Sequence, residues 1–195
     1  MKRIWAIVLT FLLVVGLIAS ACMYVLASLL GTFIGGTVTV VEGDGLLLLY
    51  VNTCDWVVDE WSVYGFPYEE ALNAIDYDEP SPKWIETGVK NKLEGDFFFA
   101  NSSKSTETII NVTVQVYARN SDSDSLAVYV WDDPSYAELE AQALTPSWQW
   151  VNFTATTVLD TWAKIDGAKM NVGSLTNGGP YQVDCARLQV YYNSS

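Results

Sequence analysis

The chain has 195 residues and a formal net charge of −13, from 23 acidic and ten basic side chains, and it contains no histidine. So acidic a surface repels nucleic-acid phosphates. The missing histidine removes the commonest general base and the commonest transition-metal ligand together.

Lys2 and Arg3 precede an uncharged run from Ile4 to Val41. Its densest apolar part, residues 4–35, predicts a helix rising roughly 48 Å, against about 30 Å of hydrocarbon in a bilayer. Three outcomes fit that helix. An anchor would keep Lys2 and Arg3 on the cytoplasmic side and the acidic remainder outside. A filament would pack it against copies of the chain. A secretory signal would be cut near Ala19-Ser20-Ala21. Cys22 follows these small residues as in a lipoprotein box, although the apolar continuation suits a buried thiol better. All the acidic residues lie beyond Val41 beside eight basic ones, so that portion carries roughly −15. The expected division is a membrane or filament-core helix over 1–36 and an exported domain over 37–195.

Residues 37–51 read as a hairpin turned at Glu42-Gly43-Asp44-Gly45, or as a strand donated to a neighbouring copy. Cys54 and Cys185 lie outside the helix. In an oxidising compartment a bond between them would add roughly 4–5 kcal/mol on chain entropy, the alternative being two buried thiols. Residues 60–96 form a long irregular connection rich in acids, prolines and aromatics. Its Asp76, Asp78 and Glu79, like Glu42 and Asp44, are weak candidates for calcium held with backbone oxygens; a solvated acidic loop is the alternative. A buried strand is expected at 97–100 and a loop at 102–107. Strands follow at 108–118, 125–131, 148–158, 164–173 and 181–192, and the run DDPSYAELEAQALTP suits a helical turn. Strands so punctuated, without crossover helices, predict an antiparallel β-sandwich.

Four sequons begin at Asn101, Asn111, Asn152 and Asn193. Strand alternation turns Ile110, Val112, Val114 and Val116 to one side and Asn111, Thr113, Gln115 and Tyr117 to the other. It likewise separates Val151 and Phe153 from Trp150 and Asn152. Both asparagines therefore point away from the core, as glycan attachment or plain polar alternation would have it.

The segments Val114–Arg119, Val128–Val130, Leu144–Trp150, Thr161–Lys169 and Cys185–Tyr192 resemble, in order and spacing, the galactose-binding-like jelly-roll modules of extracellular and virus-associated proteins. The resemblance implies a jelly-roll β-sandwich used in surface architecture and sometimes in glycan contact, with no catalytic residue. A looser resemblance, a charge-free helix before an acidic β domain, is to archaeal type IV pilins. Here Ile4-Trp5 stands where a small residue usually follows the basic pair.

Trp148 and Trp150 share one face, available for stacking on sugar rings or for packing against another sheet or subunit. The acidic pairs Asp59-Glu60, Glu69-Glu70 and Asp132-Asp133 are adjacent. On a strand they point to opposite faces, unlike a glycosidase's opposed carboxylates. Serines lack a histidine partner, and there is neither a phosphate-cradling glycine loop nor a CxxC.

The sequence thus predicts a mainly β protein, an antiparallel jelly-roll sandwich behind a long N-terminal hydrophobic α-helix. Its expected role is that of a non-catalytic, glycosylated surface or appendage subunit, anchored in the membrane or assembled into a filament or pilus. The expected partners are copies of itself and membrane lipid, without a cofactor or nucleic acid. A carbohydrate-binding or adhesion module is the alternative, followed by a strand-exchange subunit or a viral surface protein.

Overall fold

The computed structural model describes residues 40–43, 45–59, 61–64 and 84–193, all within the compact unit Thr37–Ser195. Strands β1 (Val40–Gly43) and β2 (Leu46–Asp59) form a hairpin with Val40 opposite Leu49 and Gly43 opposite Leu46. Gly45 turns it at a φ of 69°, and a Cβ there would lie 2.8 Å from the Tyr192 carbonyl oxygen. The hairpin expected over 37–51 is thus the form adopted from Val40 onward.

The remaining strands are β3 (Ser62–Tyr64), β4 (Trp84–Thr87), β5 (Leu93–Phe99), β6 (Thr108–Asn120), β7 (Ser125–Asp132), β8 (Ser135–Glu138), β9 (Gln142–Ala143), β10 (Gln149–Thr154), β11 (Lys169–Ser174) and β12 (Tyr181–Asn193). A short helix, α1 (Trp162–Asp166), precedes β11. Among the described residues all twelve strands belong to one sheet, whose main path runs β10-β6-β12-β2-β5-β11-β7-β8. Pairings along it are antiparallel.

The sheet curls because β2 serves both arms. Its first part, Leu46–Tyr50, pairs with Arg187–Tyr191 of β12. From Val51 it pairs with β5, and the register breaks between Val51 and Thr53 and again between Cys54 and Val58. Such irregularities bend a strand and increase its twist. One apolar cluster then draws on both arms: Leu49, Val114, Phe153 and Leu188 from one, Phe97, Val128 and Met170 from the other. Each such fully buried side chain contributes about 1.5–3 kcal/mol relative to exposure.

These observations correct several expectations. The fold is a mostly β, curled half-barrel sheet. It is not a pair of separate sandwich sheets, because β2 joins the arms without interruption. The helix expected over 4–35 lies outside the described residues. Among the described residues no helix is long and apolar enough to cross a membrane. Indeed α1, five residues long, rises only about 7.5 Å. Membrane anchoring, helix-cored filaments, a lipid partner and a membrane-associated surface location therefore find no support in the described structure. The expected disulfide is not formed. Cys54 sits opposite Phe97 in the part of β2 that has left β12 for β5, whereas Cys185 sits opposite Tyr117 of β6.

Two local expectations also change. DDPSYAELEAQALTP holds the β7–β8 hairpin and β9, with Trp131 opposite Tyr136. The expected strand at 164–173 begins as α1, where Thr161 caps the helix by accepting the Lys164 backbone N–H and Gly167 ends it.

Candidate functional site

Along β6 the apolar side chains Val112, Val114, Val116 and Ala118 enter the core. The intervening Gln115, Tyr117 and Arg119 occupy the opposite face. Pairing brings β12 to one edge of β6 and β10 to the other, and β4 joins the far edge of β12. The face is therefore assembled in cross-strand rows.

The central row is aromatic. Tyr117 stands opposite Trp150, with ring centroids 5.3 Å apart. Trp148, just before β10, stacks on Tyr117 at 5.5 Å and 17°, and Trp84 of β4 meets Trp148 edge-on at 6.1 Å. The four rings form a continuous run of half-buried aromatic surface. The connection carrying Trp148 is tied down by the Asn120 N–H bonded to the Thr145 carbonyl (2.9 Å) and the Leu144 N–H to the Asp124 carbonyl (2.9 Å).

A polar row flanks each side. In one, the Arg119 Nε donates to Gln182 Oε1 (2.5 Å) and the Gln182 Nε2 donates to Glu86 Oε2 (2.7 Å), which also accepts the Trp84 indole N–H (2.8 Å). In the other, Arg187 donates through Nη1 to Tyr50 Oη (2.7 Å) and through Nε to Gln115 Oε1 (2.7 Å). Gln115 Nε2 passes on to Asn152 Oδ1 at 2.8 Å. The guanidinium carbons lie over tryptophan rings, Arg187 at 4.0 Å from Trp150 and Arg119 at 4.8 Å from Trp148. Aromatic surface between fixed amide and guanidinium groups suits a ligand with both apolar and hydroxylated faces.

Of the residues singled out in the sequence, Trp148, Trp150 and Asn152 meet on this face. Asn111 lies farther along β6, half-buried, bonded to Thr156 Oγ1 at 2.7 Å. Asn101 and Asn193 are exposed elsewhere. Asp76, Asp78 and Glu79 lie outside the described residues, among which no group of three or more His, Cys, Asp or Glu side chains is placed to hold a metal. Sequence reasoning missed Arg119, Arg187, Gln182 and Trp84 as members of the site. The alternation of β6 and β12 offered a signal for the first three, since each stands on the non-core side.

A separate concavity of about 430 Å³ is lined by Trp131, Asp132, Asp133, Ala163, Lys164 and Gly167. Its ammonium is engaged: Lys164 pairs with Asp132 at 3.0 Å and Asp160 at 3.2 Å. Those hydrogen bonds hold its pKa above the ordinary lysine value.

No protein-family model matches the chain. No curated protein matches it either. Among solved structures, the xylan-binding CBM22-1 domain of Paenibacillus barcinonensis Xyn10C is similar at 12% identity and a TM-score of 0.39, over 79% of this chain and 91% of that one. BiXyn10A CBM1, in its apo form, is similar at 16% identity and a TM-score of 0.34, over 74% of this chain and 99% of that one. The Agl-KA catalytic domain is similar at 11% identity and a TM-score of 0.42, over 84% of this chain but only 30% of that one. All three likenesses are distant, with TM-scores below 0.5.

Proposed function

We propose that this domain is a non-catalytic glycan-binding module. Its binding face is the aromatic row Trp84, Trp148, Tyr117 and Trp150 with the polar rows beside it. The observation that carries this reading is the interleaving: four neighbouring rings left half-exposed, between side-chain amides whose orientation is fixed by their own hydrogen bonds. Sugar rings present apolar C–H faces to tryptophan and hydroxyl groups to amides. Preorganisation of the amides lowers the ordering cost of binding. The role is capture and not turnover. Glu86, which holds Trp84 and Gln182, is the carboxylate of these rows among the described residues, where a glycosidase would need two opposed acids.

Affinity electrophoresis of the full chain in gels containing xylan, mixed-linkage β-glucan, galactomannan or polygalacturonate tests the reading. Retardation by at least one polymer, lost in Trp148→Ala and Trp150→Ala variants with unchanged circular dichroism, is expected. Unaltered mobility in every gel, or retardation indifferent to both substitutions, would refute it.

A further inference from the structure

We infer that the ligand is an acidic glycan, one whose sugars carry carboxylates, and that Arg119 and Arg187 read those carboxylates. This rests on the glycan-binding reading and specifies its substrate class.

The grounds are the surroundings of the two arginines. The chain carries 23 acidic residues, yet neither guanidinium has a carboxylate partner among the described residues. Ion pairs there include those of lysines 104, 164 and 169. Arg119 and Arg187 instead spend their Nε atoms on the neutral oxygens of Gln182 and Gln115. Glu86, the carboxylate of the same rows, is occupied by Trp84 and Gln182 and does not bond to Arg119. In so acidic a protein, two half-buried cations on one face without a counter-ion among the described residues are a specific arrangement. A free carboxylate could have been placed beside either at little cost.

The remaining donors point to the ligand's chemistry. Arg119 keeps both Nη groups, and Arg187 keeps Nη2, without a protein partner among the described residues. Each guanidinium lies near an indole; Arg119 offers its two Nη groups to a planar acceptor, the fork geometry that matches a carboxylate, and Arg187 offers Nη2 for a charge-assisted hydrogen bond. On β6 the Arg119 position and that of Gln115, opposite Arg187, are four residues apart, so the cations stand roughly 13 Å from each other. Between them lies the aromatic row. A chain of sugars stacked on Trp148 and Trp150 would bring ring substituents to both ends of that span. The overall negative charge opposes a polyanion, but at physiological salt it is screened within about 8 Å, so contact-range cations decide.

The test compares an oligogalacturonate with its fully methyl-esterified form, using tryptophan fluorescence of the full chain. The two probes share a backbone and differ in charge. The acid form is expected to bind at least about tenfold more tightly, since charge-assisted hydrogen bonds are the stronger kind. Arg119→Gln and Arg187→Gln should each bring the acid-to-ester affinity ratio down toward one. Equal affinity for acid and ester, both weakened by Trp150→Ala, would overturn the acidic preference and leave the glycan reading standing. Binding of neither probe overturns the inference as well; the glycan reading falls with it only if the neutral polymers of the electrophoresis panel also fail. Equally tight binding of dextran sulfate would mean that charge alone is read, and would overturn the carboxylate assignment.

Discussion

Replacing Lys169 with methionine removes the ammonium facing Asp96 and keeps most of the apolar stem. The Lys169 Nζ lies 2.5 Å from Asp96 Oδ2, with the aspartate side chain 7% exposed and the lysine 20%. Breaking a buried pair from one side costs about 3–5 kcal/mol, because the surviving charge is left without compensation. Here Asp96 keeps the Tyr136 hydroxyl and, with the Asn171 amide nitrogen turned toward it, a second hydrogen bond at 2.9 Å. The partial exposure of Lys169 reduces the cost further. The ammonium also sits 4.5 Å from the Trp131 ring centroid, a contact worth about 0.5–1 kcal/mol. Together these give a loss of about 3 kcal/mol, or about 6–12 °C in Tm for a domain of this size. Urea denaturation of Lys169→Met, Asp96→Asn and the double variant measures it. The lysine substitution should cost much less once Asp96 is already asparagine. A Lys169→Met variant within about 0.5 kcal/mol of the parent, or an equal cost in both backgrounds, would refute the reasoning.

Burial, reinforced by the hydrogen bond to Asp96, holds the Tyr136 phenol well above its ordinary range. It therefore keeps its proton where the unfolded chain has begun to lose one. Its contribution is complete below about pH 10 and declines as pH rises beyond that; Tyr136→Phe should flatten the alkaline fall of the urea midpoint. Phe153 is fully buried in β10, and Phe153→Ala should cost about 3–5 kcal/mol by denaturant titration. Thr161→Ala removes the α1 cap and should cost about 1 kcal/mol in the same assay.

Much of this fold is legible where alternation is strong. β6, β7 and β12 fall close to the runs expected at 108–118, 125–131 and 181–192, because a strand with one face in a core must separate apolar from polar side chains. The β7–β8 hairpin was hidden because Ala, Glu and Leu in that segment favour a helix locally, and pairing with β7 overrides them. α1 was hidden by brevity, although Thr161 and Gly167 carried its start and stop signals. The curl has no local signature at all: nothing within LLLLYVNTCDWVVD says that its first part will bond to β12 and its second to β5. The same limit explains the disulfide, since a separation along the chain carries no information about which arm receives Cys54. In the site, Trp148 and Trp150 were visible from β10 alone. Arg119, Arg187 and Trp84 join them only through pairing across β4, β12 and β6, a tertiary fact.

The most direct test of the binding face is to follow indole N–H resonances in a 1H–15N spectrum of the full chain as the best-retarding oligosaccharide is added. The signals of Trp84, Trp148 and Trp150 are expected to shift with saturation, while those of Trp131, beside the separate concavity, and Trp162, bonded to the Glu107 carbonyl at 2.7 Å, stay in place. Shifts confined to Trp131, or none among the three platform indoles at saturation, would contradict the account.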